Sequence, residues 1–323
     1  MNKSLIYIIL ALLLASCGNN TGKAAAETAA EPSLDVVNFD ADSCMAYLKA
    51  QVDFGPRVPD TDAHRLTADY LANTLRANGA DVSVQSTSAQ TAQGKKIPVY
   101  NILGRFAAER NTRILLLAHW DTRPWADEDP NENNHDKPID GANDGASGVA
   151  VLLEIARLLG SQMPENIGID ILFVDAEDSG ASGDDSSWCL GTQLWVKSMP
   201  YTAVNTPKYA ILLDMVGGRN AKFHREYLSD YYARSVVDRV WSIASSSGYA
   251  TRFINATGGA ITDDHVIINR AGIPAIDIIE NKNNETGSFN PTWHTLDDNV
   301  RNIDINTLKA VGQVVANCIY NHK

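Results

Sequence analysis

The chain has 323 residues, of which 44% are hydrophobic and 20% are charged, a composition that is ordinary for a globular protein. Its formal net charge is −12. This charge argues against nucleic acid as a partner, because binding to phosphates needs a basic surface.

Near its start the chain has a lysine, Lys3, followed by an apolar run from Leu5 to Leu14, which is too short to span a bilayer as a helix. Small residues then precede Cys17, and this pattern resembles a bacterial lipobox, which implies cleavage before Cys17 and lipid attachment to it. A plain secretory signal peptide with an incidental cysteine is the alternative. We predict a lipoprotein signal peptide over 1–16, a lipidated flexible tether over 17–34 and a single domain over 35–323, held in the bacterial periplasm at the inner or outer membrane.

Periodicity divides the rest of the chain into helices and strands that alternate. Apolar runs such as "RILLLA" are typical of central strands that are covered on both faces. Ser229 and Asp304 are the predicted N-caps of the last two helices. In chain order we predict a helix over 62–77, strands over 81–87, 97–106 and 113–121, a helix over 145–159, strands over 167–178 and 209–218, a helix over 229–249, a strand over 273–279 and a helix over 304–320. This order predicts a three-layer α/β/α fold with a central mixed, mostly parallel sheet.

Acidic residues and histidines follow the apolar runs, where α/β sheets place their ligands. Each alone is weak evidence, since an aspartate at a strand end is often a turn former or helix cap. Together they would repel one another in a partly buried site, and a divalent cation relieves that repulsion. Carboxylates mixed with imidazoles suit zinc in an open catalytic site. The residues are His119, Asp121, Asp144, Asp175, Glu177, Asp178, Asp214, Asp263, Asp264, His265 and His294.

Other catalytic motifs are missing from the sequence. There is no G-x-S-x-G nucleophile elbow, no P-loop, no G-x-G-x-x-G after a strand and no H-E-x-x-H helix. The cysteines after Cys17 are Cys44, Cys189 and Cys318, and none has C-x-x-C spacing. We expect them to be buried structural residues rather than metal ligands, although one disulfide between two of them remains possible.

The order H-x-D, G-A-x-D, an acidic pair, L-L-D and W-H resembles the zinc-dependent aminopeptidase-like family. Within it, the stretches "VDFGPRVPDTDAH", "LGTQLWVKSM" and "ITDDHVIINRAGIPAIDII…TWHTLDDNV" are similar to glutaminyl-peptide cyclotransferases, and the similarity covers about residues 50–320. One departure lies in the acidic pair, which is Glu-Glu in the animal enzymes and Glu177-Asp178 here.

The resemblance implies roles for particular residues. It implies one zinc ion per chain, a general acid/base and two aspartates in a hydrogen-bond network around it. It also implies a tryptophan that lines the substrate pocket, with two further aromatic candidates from neighbouring loops. The implied zinc ligands are Asp144, Asp178 and His294, and the implied acid/base is Glu177. The network aspartates are Asp214 and Asp263. The pocket tryptophan is Trp293, and the two further aromatic candidates are Trp188 and Phe289.

The implied activity is an aminoacyl-class acyl transfer, in which an N-terminal glutamine of a peptide or exported protein becomes pyroglutamate and ammonia is released. A monomer is expected. The alternative is a two-zinc aminopeptidase, in which His119 and Asp214 hold a second zinc, Asp144 bridges the two ions and Glu177 activates water. A non-catalytic zinc- or peptide-binding lipoprotein is disfavoured because Glu177 is present.

Overall fold

The computed structural model describes residues 37–322. The predicted signal peptide, Cys17 and the predicted tether lie outside these residues. None of the helices between residues 37 and 322 is both long and apolar enough to cross a membrane. The α-helices described are α1 Ala41–Val52, α2 Asp62–Ala77, α3 Ala146–Ser161, α4 Leu190–Trp195, α5 Tyr227–Ser246, α6 Asp264–Arg270 and α7 Ile305–Tyr320.

A six-stranded mixed sheet forms the centre of the molecule, with strand order β1-β2-β4-β3-β5-β8. The pairs β1/β2 and β2/β4 are antiparallel, whereas β4/β3, β3/β5 and β5/β8 are parallel. A separate pair, β6 and β7, is parallel. The strands are β1 Asp81–Gln90, β2 Lys96–Phe106, β3 Arg113–His119, β4 Gly168–Val174, β5 Ala210–Leu213, β6 Phe223–Arg225, β7 Phe253–Thr257 and β8 Ala275–Ile278.

Strand β3 shows why helices lie on both faces of this sheet. All seven of its residues are buried. Leu116 belongs to the large core shared with helices α1, α2, α3, α5 and α7. Leu115 and Leu117 belong to a second core, which includes Trp195 of α4 and Ile268 of α6. Because successive side chains of a strand point to opposite faces, a fully apolar strand needs this double cover. The predicted three-layer α/β/α fold is therefore confirmed.

The predicted elements are all present, with shifted ends, and one predicted cap is wrong. Helix α7 begins after Asp304, whose side chain accepts a hydrogen bond from the backbone N–H of Asn306, as predicted. Helix α5 begins earlier than expected, because Glu226 is its N-cap and accepts from two backbone N–H groups of the first turn. Ser229, the predicted cap, is buried, and its hydroxyl accepts a hydrogen bond from the backbone of Asp277 on β8.

The remaining cysteines are free and buried in the structure, as expected for structural residues. Elements that the sequence analysis did not identify are α1, the short helices α4 and α6, and the two-stranded sheet. Both short helices have fewer than two full turns of apolar pattern, so periodicity could not reveal them.

Candidate metal centre and substrate pocket

The parallel strands bring their polar C-terminal residues to one edge of the sheet. His119 is the last residue of β3, and Asp214 directly follows β5. Glu177 and Asp178 come shortly after β4, which pairs with β3. Asp144 lies just before α3, which packs on β3. The fold therefore gathers the residues that the sequence analysis selected at the strand ends.

Asp144, Asp178 and His294 form a buried group whose potential ligand atoms all lie within 4.8 Å of one another. His294 Nε2 lies 3.3 Å from Asp178 Oδ1 and 3.7 Å from Asp144 Oδ2. Each of the three side chains is at most 6% exposed. The three residues predicted as zinc ligands are thus brought together, from three separate loops.

The carboxylate of Asp178 provides the test of whether a metal fits here. Both of its oxygens are buried and neither accepts a hydrogen bond, while Oδ1 lies 3.3 Å from His294 Nε2 and 3.6 Å from Arg123 Nη1. A buried carboxylate that accepts no hydrogen bond is costly unless cations compensate it. Two carboxylates and one imidazole are a donor set that zinc accepts in a catalytic site. The residues present therefore fit a zinc ion.

Two further aspartates fix the backbone around these groups. Asp121 accepts hydrogen bonds from the backbone N–H groups of Glu177 and Asp178, at 3.0 and 3.1 Å. Asp298 accepts from the backbone of Asn143 and Asp144, at 2.7 and 3.0 Å. Both carboxylates are buried. They set the position of the acidic pair and of Asp144 before any ligand is bound.

A second group shares one residue with the first. His119 Nε2 lies 3.0 Å from Asp144 Oδ1 and 3.2 Å from Asp214 Oδ1, and these three residues could also hold a metal ion. Burial raises the pKa of Asp214 to about 7, and the nearby charge of Asp144 adds to this effect.

Glu177 lies beside the first group and is partly exposed to the pocket. Burial raises the pKa of its carboxyl group well above the usual range, and the charges of Asp263 and Asp178 raise it further. The thiol of Cys189 donates a hydrogen bond to Glu177 Oε1. A carboxyl group with a raised pKa, next to a metal site but outside its ligand set, suits proton transfer.

Asp263 is the N-cap of helix α6, because its side chain accepts a hydrogen bond from the backbone N–H of Asp264. It also lines the pocket. Its carboxyl group lies close to that of Asp277 on β8, since an oxygen of each lies within 4.8 Å of the other and of a ring nitrogen of His265. Burial, followed by the charge of Asp263, holds the pKa of Asp277 well above its usual range. Asp277 is a buried acid that the sequence analysis missed.

The pocket next to the metal group has a volume of about 320 Å³. The three aromatic residues predicted to bind substrate, Trp188, Phe289 and Trp293, all line it. Trp293 stacks on the ring of His294 with centroids 3.8 Å apart, and Phe289 packs against Trp293 at 4.7 Å. The pocket also contains Glu177, Asp214 and Asp263.

Two contacts fix the position of the Trp188 side chain. Its indole N–H donates to the carbonyl of Ala181, and the guanidinium of Arg123 lies 4.7 Å from its ring centroid. Arg123 is almost fully buried and was not selected from the sequence. In the sequence, Arg123 is distinguished only by its place two residues after Asp121, in the H-x-D-x-R segment at the end of β3.

A buried Asp/Asp/His group at the edge of a mixed α/β sheet, with a partly exposed glutamate beside it, defines a zinc-exopeptidase-like enzyme. The chain belongs to peptidase family M28, whose model matches residues 101–319.

The solved structures and curated proteins that are similar to this chain have been described with more than one activity. A glutaminyl cyclase from Bacteroides thetaiotaomicron bound to N-acetylhistamine is 51% identical, with a TM-score of 0.86 over 90% of this chain and 100% of that one. A structure described as a leucine aminopeptidase precursor from the same organism is 49% identical, with a TM-score of 0.85 over the same shares of both chains. The glutaminyl-peptide cyclotransferase of Drosophila melanogaster is 24% identical over 80% of this chain and 75% of the relative.

Proposed function

We propose that this enzyme is a glutaminyl-peptide cyclotransferase, which converts the N-terminal glutamine of peptides or proteins to pyroglutamate with release of ammonia. The proposal rests on the 51% identity to a bacterial glutaminyl cyclase, whose solved chain is covered in full. In the present chain, Glu177 lines the same pocket as the Asp144, Asp178 and His294 group. Curated cyclotransferases from insects and vertebrates support the same activity.

In this reaction the α-amine of the substrate attacks its own γ-carboxamide carbon. A C–N bond to the α-nitrogen forms, and the bond to the side-chain nitrogen breaks. Glu177 is the residue placed to take a proton from the attacking amine and to give it to the departing nitrogen, which leaves as ammonia. Its raised pKa favours the first transfer, because the carboxyl group then holds the proton until the departing nitrogen takes it.

Asp144, Asp178 and His294 would hold the zinc ion. When bound, zinc supplies Lewis-acid polarisation of a carbonyl oxygen. Asp121 and Asp298 keep two of these ligands in place through their backbone contacts. The site is therefore largely preorganised, which lowers the cost of reaching the reactive geometry.

The aromatic walls explain why a small intramolecular reaction can be catalysed here. Nucleophile and electrophile belong to one residue, so the enzyme has to hold a reactive rotamer rather than bring two molecules together. Trp293 and Phe289 form one continuous apolar wall beside the metal group. Such a wall confines the methylene groups of glutamine while Glu177 and the metal group face its polar ends.

The product formed from a Gln-initiated dipeptide tests this proposal. Mass spectrometry of the reaction should show loss of one ammonia and an intact peptide bond. Free glutamine together with the second amino acid, without a cyclised product, would identify an aminopeptidase instead and overturn the proposal.

The aminopeptidase is kept as the second candidate because of the His119, Asp144 and Asp214 group. Those residues could hold a second metal ion, with Asp144 shared between the two ions, and Glu177 would then activate water. We propose a single zinc ion per chain, held by Asp144, Asp178 and His294, as the resemblance to glutaminyl-peptide cyclotransferases implies. Metal analysis of the active enzyme checks the number of ions.

We further propose that the chain is a monomeric lipoprotein of the bacterial periplasm, anchored through Cys17. The support is the sequence around the predicted cleavage site, together with a net charge that disfavours nucleic-acid partners. Replacement of Cys17 by Ser should release the protein from the membrane fraction, and light scattering of the released protein should give the mass of one chain.

A further inference from the structure

The proposed ligand His294 is held by a loop that the proposed mechanism does not use. Its ring atom Nδ1 lies 3.1 Å from Asp127 Oδ1, on the side opposite to the proposed metal group, which Nε2 faces. Asp127 belongs to the long polar loop after β3. A carboxylate on the far nitrogen fixes which ring nitrogen carries the proton and therefore which one is free to bind a metal.

The same loop also holds the backbone around His294. The N–H of Glu128 donates to the carbonyl oxygen of His294 at 3.2 Å, and Asp129 Oδ2 accepts from the backbone N–H of Leu296 at 3.0 Å. His294 has a φ angle of +54°, a left-handed conformation that is unfavourable for a residue with a side chain. Such a conformation persists only where surrounding contacts determine it.

Arg123 fixes Asp127 in turn. Its Nε and Nη2 atoms donate to the two oxygens of Asp127 at 3.1 and 2.5 Å. Its Nη1 atom donates to the backbone carbonyls of Asp178 and Gly180. The guanidinium lies 4.7 Å from the ring centroids of both Trp125 and Trp188. The arginine thus links the His294 loop to the loop of the acidic pair and to one wall of the pocket.

We propose that Asp127 and Arg123 are positioning residues of the metal site. Asp127 acts through His294, and Arg123 acts through Asp127 and through Asp178, whose Oδ1 lies 3.6 Å from Arg123 Nη1. In this proposal, which rests on the proposed zinc site, Asp127 keeps the proton of His294 on Nδ1 and the lone pair of Nε2 towards the metal. Residues 127–129 hold the strained backbone of His294, and Arg123 ties this loop to the loop of Asp178. Arg123 and residues 127–129 thus form a clamp on His294. This clamp sets how tightly zinc is bound, and it needs no contact with the substrate.

Zinc affinity, measured by competition with a chromogenic chelator, tests the clamp without using activity. We expect Asp127→Ala to raise the zinc dissociation constant by about 10–100-fold, the usual cost of losing a partner behind a metal ligand. Asp127→Asn should lose less, because its amide oxygen can still accept from Nδ1–H. Asp136→Ala is the matched control, since it removes the same charge from an exposed position in the same loop. Asp127→Ala binding zinc as tightly as this control would overturn the proposal.

A second measurement needs no variant and so does not depend on whether Asp127→Ala folds. Long-range ¹H–¹⁵N NMR of the zinc-bound wild-type protein should show His294 with its proton on Nδ1 and the metal on Nε2. A ligand bond through Nδ1 would overturn the proposal. Wild-type protein that binds zinc but does not cyclise glutamine would refute the proposed function and leave the clamp intact, so the two failures are distinguishable.

Discussion

The thiol of Cys189 donates a hydrogen bond to Oε1 of Glu177 across 3.3 Å, and the backbone N–H of Cys189 donates to the carbonyl of Glu177 at 3.0 Å. Cys189 precedes α4 and has a left-handed φ angle of +54°. Burial, with the nearby charges of Asp264 and Glu177, raises the pKa of the thiol well above its usual range. Cys189 therefore stays a neutral donor at physiological pH and engages one oxygen of the proposed acid/base.

Removing this donor should slow the reaction. We expect Cys189→Ala to lower kcat by roughly tenfold, because a hydrogen bond to a charged group is worth about 1.5–3 kcal/mol. Cys189→Ser keeps a donor and should retain most of the activity, with KM little changed in both variants. Cys318→Ala, which removes a buried thiol from α7, is the control. Equal kcat values for Cys189→Ala and wild type would show that the contact only fills space.

Replacing Glu177 should separate catalysis from metal binding. Glu177→Gln keeps the size of the side chain but cannot exchange a proton, so kcat should fall by about 10²–10⁴-fold, the usual contribution of general acid–base catalysis. Since Glu177 is not one of the proposed ligands, zinc content should stay at the wild-type value. Loss of zinc from this variant would mean that Glu177 belongs to the metal site.

Two histidine variants test which group holds the metal. His294→Ala should purify without stoichiometric zinc, because it removes one of three ligands in the Asp144, Asp178 and His294 group. His119→Ala should keep its zinc if that group is the single site. The measurement is zinc per chain by atomic emission after dialysis. A wild-type protein with two zinc ions, of which His119→Ala loses one, would favour the aminopeptidase.

The residues of the candidate site that could be predicted are those that follow long apolar strands. Strands β3 and β5 contain unbroken apolar runs, and β4 is apolar except for Asp170, so their ends were visible. Parallel pairing then placed His119, Glu177 and Asp214 at one edge. His294 sits in an irregular loop, where it was one of several candidate residues, and the resemblance to a family selected it as a metal ligand. No periodic pattern leads to that position.

The residues that could not be predicted depend on contacts distant in the sequence. Asp277 is the central acid of an apolar strand, and its significance appears only because α6 brings Asp263 against it. Asp127 is one of several acids in a polar loop, and only the fold shows that it reaches His294. Ser229 was predicted as the helix cap because serine is a common N-cap residue, whereas in the structure the side chain of Glu226 accepts from the backbone N–H groups of Leu228 and Ser229.

Asp264 should make the stability of the fold depend on pH. It is fully buried, and burial together with the charge of Asp263 raises its pKa to about 8, compared with an ordinary value of 3.8. Between about pH 4 and pH 8, the folded state therefore holds a proton on Asp264 that the unfolded state has already released. The free energy of unfolding should fall as pH rises through this window, by up to about 1.4 kcal/mol per pH unit from this group.

Asp264→Asn removes this ionisation, so urea unfolding at pH 5.5 and 7.5 should show a smaller loss of stability for the variant than for the wild type. The control is Asp69→Asn, which removes the same charge from an exposed position on α2 and should leave the wild-type pH dependence unchanged. The sign follows from burial: a carboxyl group that is easier to ionise after unfolding pulls the equilibrium towards the unfolded chain as pH rises. An Asp264→Asn variant with the full wild-type pH dependence would mean that Asp264 is already ionised in the folded state, with its charge compensated by a neighbouring cation.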